Sequence, residues 1–173
     1  MRTKSFILTF LMMMFCSVSF GQKHWNVNVH QFQHHIEIIA AVVIDGQEQT
    51  NTDFEIGVFC DEHLHGSQMI VQSPNVNHPF LVPLSLYIDD LGEKEFTFKV
   101  YDHGTGKVCY AWTETLDIQE YSKFGSIDAP HIFNITLVAE VNDVKYGSLQ
   151  AAVNAAQAGE TVTLLDEAIG AGV

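Results

Sequence analysis

The residues best placed to do chemistry are few, and each has a plain structural alternative. His63 and His65 stand two apart, which on a strand puts both on one face. With Asp61 or Glu62 beside them they make a candidate zinc set of imidazole and carboxylate. They equally suit a solvent-exposed turn. Tyr110 and Trp112 also alternate on one face of a strand. Exposed, they would form a platform for stacking on sugar rings; buried, they would wall a hydrophobic core. Trp25 carries the same two readings. Asp89-Asp90 and the loop Asp102-His103-Gly104-Thr105-Gly106 offer oxygen ligands for calcium, but turn-forming Asp and Gly account for both. Cys60 and Cys109 are either a disulfide or two small buried thiols. The sequence contains no Gly-x-Ser-x-Gly elbow, no His-Glu-x-x-His and no phosphate loop, so no catalytic residue and no resident cofactor is assigned.

These residues need strands to hold them, and the chain supplies strands. From Trp25 to Val138 the pattern is β. Residues 35–44 are β-branched and apolar and run into Asp45-Gly46, a tight-turn signal. Phe54 to Cys60, Ser67 to Gln72 and residues 80–88 follow, with Pro83 marking an edge or a bulge. Glu95 to Tyr101 alternates Phe96, Phe98 and Val100 against Thr97 and Lys99, the mark of a half-buried strand with the apolar set facing the core. Lys107 to Thr113 returns after the 102–106 loop, and Ile132 to Val138 closes the set. Seven or eight short strands without helical period predict an all-β fold, an immunoglobulin-like antiparallel β-sandwich.

The character changes at Glu140. Val141-Asn142-Asp143-Val144 reads as a small hairpin. Ser148 caps a predicted helix with Leu149, Ala152, Val153 and Ala156 on one face and Gly159 at its end, and Thr161 to Leu165 reads as a strand. The expected division is therefore a leader over 1–21, a sandwich over 22–139, and a helix-strand cap over 140–173.

The leader reading rests on Arg2 and Lys4, on the apolar stretch from Phe6 to Cys16, and on Ser19-Phe20-Gly21 as a cut site. A lipoprotein cut before Cys16 is the rival, with Phe15 where a small residue is wanted. The stretch is too short to span a bilayer, and no later segment is long enough. Export through a cleaved signal predicts a secreted or cell-surface protein. The 173-residue chain has a net charge of −13, which becomes −15 once Arg2 and Lys4 leave with the signal. That charge disfavours nucleic acid and anionic lipid as partners and suits a solvated surface.

Two stretches carry resemblances. Glu55-Ile56-Gly57-Val58-Phe59-Cys60-Asp61-Glu62-His63-Leu64-His65-Gly66 is similar to a "G-A-F-x-x-x-E-C-R-G" signature. Its companions are matched by Glu95 to Asp102, Thr105-Gly106, and Phe124-Gly125-Ser126 before Pro130. About residues 24–138 thereby resemble a β-sandwich module of large secreted and cell-surface proteins of Gram-negative gut and oral anaerobes. This chain has Leu64 and His65 where the signature has its cysteine and arginine. Tyr146 to Val153, with Ala156, Gly159 and Thr161-Val162-Thr163-Leu164, resembles the N-terminal cap of a right-handed parallel β-helix of the pectin-lyase-like kind, a solenoid that needs several coils to be stable. The resemblances imply a non-catalytic recognition or presentation module of a surface protein, with a glycan or a surface protein as partner and a β-helix domain of the same parent chain to follow. An ancillary domain of a β-helix polysaccharide lyase or hydrolase is the first alternative, and a spacer in a surface stalk the second.

Overall fold

A computed structural model of the protein describes residues 23–165. The leader with its Cys16 alternative, and the chain from Asp166 to Val173, lie outside the described residues. The fold is an all-β sandwich with one short helix. Its strands are β1 (His34–Ile44), β2 (Gln47–Glu48), β3 (Phe54–Cys60), β4 (His63–Met69), β5 (Val71–Gln72), β6 (Phe80–Ile88), β7 (Gly92–Asp102), β8 (Lys107–Ile118), β9 (Lys123–Phe124), β10 (His131–Ile135), β11 (Ala139–Val141), β12 (Val144–Tyr146) and β13 (Thr163–Leu164); α1 spans Leu149–Ala155. The first sheet runs β10-β1-β6-β5, with β2 and β9 also on β1, and the second runs β13-β11-β12-β8-β7-β3-β4.

Local chemistry sets the turns. Asp45-Gly46, Asp61-Glu62 and Asn142-Asp143 all have positive φ, the mirror-image geometry that matches the twist of a hairpin. The Asp61-Glu62 turn starts β4 at His63, four residues ahead of the expected Ser67. Most pairings are antiparallel, as expected, but β9 and β10 lie parallel on β1, and β12 lies parallel on β8. Pro83 faces Ile39 on a stretch of β6 whose far side lies beyond the reach of two-residue β5, where its missing N–H costs no ladder bond.

The core forms where the two sheets' inner faces meet. Phe96, Phe98 and Val100 are all buried, as their alternation predicts, together with Ile36, Ile38 and Phe133 of the first sheet. Phe98 stacks on Trp112 with ring centroids 5.1 Å apart and tilts against Phe133 at 4.7 Å.

The segment set apart by sequence at Glu140 is hydrogen-bonded into the second sheet. Lys145 and Tyr146 pair with Tyr110 and Ala111, and the Gly147 N–H donates to the Ala111 carbonyl at 2.9 Å. Ser148 caps α1 as expected, its hydroxyl accepting from Ala151 N at 3.1 Å. The helix stops at Ala155, short of Gly159. Of its predicted apolar face only Ala152 is buried, against Ala139 and Val141. Leu149 is 47 % exposed and Val153 50 %.

Among the described residues, no helix is long and apolar enough to cross a membrane.

Candidate functional site

Residues at odd positions on β3 and β7 turn away from the core, because side chains alternate along a strand. Gly57 and Phe59 on β3, and Glu95, Thr97 and Lys99 on β7, therefore form the floor of the second sheet's outer face. Helix α1 is carried over this face by its short connection from β12. The result is a trough of about 260 Å³. One wall is Ala151, Asn154 and Ala155 of α1; the opposite side is Phe59 and Glu62. The Lys99 ammonium sits 4.7 Å from the centre of the Phe59 ring, a cation–π contact. Tyr146 contributes its phenol to the same lining. Burial first, and then the charge of Glu160, push that hydroxyl above its ordinary value of 10.0, so at neutral pH it is a hydrogen-bond donor. Carboxylates, an ammonium, an amide and a phenol beside the Phe59 ring, whose face the Lys99 ammonium covers, make a surface whose polar groups can fix the hydroxyls of a polyhydroxylated ligand.

Beside the trough an N-terminal strap crosses the outer face. Glu55, also outward-pointing, is 0 % exposed because the strap covers it. Its carboxylate accepts from His24 N at 2.6 Å and from Trp25 N at 3.1 Å, and it meets the His103 Nε2 at 2.9 Å. The Ser67 hydroxyl donates to the Trp25 carbonyl and the Lys23 ammonium to the Ser67 carbonyl, both at 2.8 Å. A buried carboxyl group needs such partners, because an unpaired polar group out of water is costly. The Trp25 ring lies flat over Gly57: a Cβ there would stand 2.5 Å from the indole Cε3. Only glycine admits this approach.

Several sequence expectations are corrected by these placements. Trp112 is not a sugar platform; it is 4 % exposed and stacked inside the core. Tyr110 shares its inward face and packs edge-on to Phe54 at 6.1 Å. The alternation placed the pair on one face, and the face is the inner one. Trp25 is half-buried as part of the strap, edge-on to Phe59 and Tyr101.

The metal set His63, His65 and Asp61 does not assemble. Among the described residues, no group of three His, Cys, Asp or Glu side chains comes close enough to hold an ion. The register shift between Val58 and Phe59 makes His65 the extra residue of a bulge. Its Nδ1 donates to the Tyr87 carbonyl at 2.6 Å, and its ring packs on Phe32. His63 stays exposed. In the 102–106 loop the Asp102 carboxylate accepts from Gly104 N at 2.8 Å and from the Thr105 hydroxyl at 3.1 Å, the bonds of an ordinary Asx turn. Asp90 faces Lys94 at 3.8 Å.

Cys60 and Cys109 are free thiols. They sit on β3 and β8, which lie on opposite sides of β7, with Cys60 next to the Phe59–Thr97 pair and Cys109 beside Val100 and Tyr101. Two strand spacings of about 4.8 Å, plus the rise along β7 at about 3.3 Å per residue, far exceed the ~7 Å Cα limit for a disulfide.

Sequence reasoning missed Phe59, Lys99, Tyr146 and Glu55. The alternation that set Thr97 and Lys99 outward was the usable signal for the trough floor. Nothing local pointed to Glu55, because its cover comes from residues 23–25.

Compared with protein-family models, curated proteins and solved structures, the chain finds no match in any of the three.

Proposed function

We propose that this protein is a non-catalytic extracellular recognition module that binds a glycan in the outer-face trough. The observation that carries the reading is the Lys99–Phe59 contact on a floor rimmed by Glu62, Glu95 and Asn154. It sets an ammonium-capped aromatic ring beside carboxylate and amide groups that can bond hydroxyls, within one concavity on the sheet. Secretion through the 1–21 leader, and the resemblance of residues 24–138 to surface-protein modules, support the setting. The test is a glycan-array screen of the full chain against its Lys99→Ala and Glu95→Gln variants. Retention of a glycan class by the parent chain, weakened at least about tenfold in both variants, is the expected result. No retained glycan, or retention indifferent to both substitutions, would overturn the reading.

A second reading, presentation of a following β-helix domain, is favoured by Leu149 and Val153, which α1 holds half-exposed on its outer side. It covers the case in which the parent protein is a polysaccharide lyase or hydrolase and this portion is ancillary. Limited proteolysis tests it: cleavage within 149–165 before any cut in β7 or β8 supports it, and equal protection of the two regions removes it.

A further inference from the structure

Sheet edges are normally defended, because a row of unpaired N–H and C=O groups templates another strand. Most edges here are. β5 and β13 are two residues long. β4 carries the bulge and the strap. β9 is short and bears Lys123, paired with Glu37 at 2.8 Å. One margin is different. There β10 ends the first sheet and β8 runs free beyond the two residues that pair with β12.

The backbone directions along this margin follow from two hydrogen bonds. The Ile135 carbonyl accepts from Asp45 N at 2.8 Å on the β1 side. By alternation, Asn134 and Ile132 turn their N–H and C=O groups the other way. The Ala111 carbonyl accepts from Gly147 N on the side away from β7, so Thr113 and Thr115 turn the same way. Both free rows border a single cavity of about 400 Å³, lined by Thr113 and Glu114 of β8 and by Ile132 and Asn134 of β10.

Two further features mark this seam. The run His131-Ile132-Phe133-Asn134-Ile135 contains no lysine, proline or bulge, and Ile132 is 41 % exposed. Trp112, deep in the same lining, holds a buried indole N–H with no acceptor among the described residues. The lining has one acid, Glu114, and no lysine or arginine, in a chain of net charge −13.

We propose that the seam between β8 and β10 is a strand-addition site for an extended segment of another polypeptide, one with apolar residues at alternate positions and basic flanks. An extended backbone is the ligand whose donors and acceptors repeat at the spacing of the Ile132–Asn134 row. Alternate apolar side chains would enter the cavity above Trp112, and basic flanks match the charge. The site shares Trp112 and Thr113 of β8 with the outer-face trough but rests on the free strand edges, and it stands without the trough.

The experiment is panning of a random peptide phage library on the full chain, followed by hydrogen exchange with the selected peptide. Selected sequences should alternate apolar and polar residues with lysine or arginine at the ends, and they should protect the amides of Ile132 and Asn134. Asn134→Pro removes an outward N–H without touching the β1 ladder, and it should weaken binding at least about tenfold. An N-methylated form of the peptide, blocked on its pairing side, should lose as much without any change to the protein. An empty selection, protection located away from 131–135, or undiminished binding of the N-methylated peptide would overturn the proposal. So would a concentration-dependent dimer abolished by Asn134→Pro, since the occupant would then be a second copy of this chain.

Discussion

The two long margins of the sandwich are built in opposite ways. At one margin β4 and β6 close on each other: a Cβ on Gly66 would stand 2.5 Å from the Ser85 carbonyl oxygen, and His65 donates across to Tyr87. The strap then crosses the outer surface at that side, fixed by Glu55 and Ser67. At the other margin β8 and β10 stand apart around a cavity. Their inner faces meet through His131 Nε2 and Glu114 Oε1 at 2.9 Å and through the Trp112 and Phe133 rings, with centroids 5.7 Å apart. Closure at the first margin required a glycine, a bulge and a fully buried acid. The second uses ordinary strand residues.

Substitutions that break the closed margin should have the largest effects. Gly66→Val forces side-chain atoms against the β6 backbone and should cost about 3 kcal/mol, the upper range for overpacking; chemical denaturation measures it. A loss near zero would mean β4 and β6 are not in contact there.

Glu55→Ala comes next. It leaves His24 N, Trp25 N and His103 without their acceptor. Each buried donor left without an acceptor costs about 1–3 kcal/mol, but the strap can lift and regain water, so the net cost should be about 2 kcal/mol. Trp25 fluorescence should shift to the red as the indole leaves Gly57. Unchanged emission would show that the strap is held by something other than this carboxylate.

The open margin should tolerate what the closed one does not. Asn134→Pro, in the absence of any ligand, should change stability by less than about 1 kcal/mol, because its N–H bonds no strand. Losing several times that amount would mean the β10 edge is paired.

The smallest effect concerns the two thiols, each on a strand beside one margin. Burial, and then the charge of Asp102, push the Cys109 thiol up to about 11 from an ordinary value of 9.0. Burial, reinforced by Asp61, also raises Cys60. The folded state holds the Cys109 proton more tightly than the unfolded chain does. Its contribution to stability is therefore complete below pH 9.0 and is lost as pH rises toward about 11. Stability should fall across that window, and Cys109→Ala should flatten the fall. At pH 8 both thiols should react slowly with iodoacetamide, since the thiolate is the nucleophile.

Much of this architecture was legible in the residues. Strand faces followed from alternation: Phe96, Phe98 and Val100 inward, Thr97 and Lys99 outward. Asp45-Gly46 and Asn142-Asp143 announced their turns, and Ser148 its cap, because these are contests between a side chain and its own backbone. The site was less legible. Tyr110 and Trp112 were placed on a common face, yet which face was inner depended on β7 lying beside them. Trp25 was visible as a large ring, but not as the cover of Gly57, some thirty residues on in the chain.

The sequence by itself determined the periods, the turns and the caps, all of which are set within a few residues by sterics and local hydrogen bonds. Tertiary structure alone decided which strands meet: β10 parallel on β1, β12 on β8, β4 sealed against β6. From those meetings came the burial of Glu55, the separation of Cys60 from Cys109, the trough under α1 and the open seam. The physical reason is that a strand's backbone satisfies its hydrogen bonds with any other extended strand. Partner choice is therefore settled by packing across the whole core, where residues distant in sequence compete for the same buried surface, and no local pattern records the outcome.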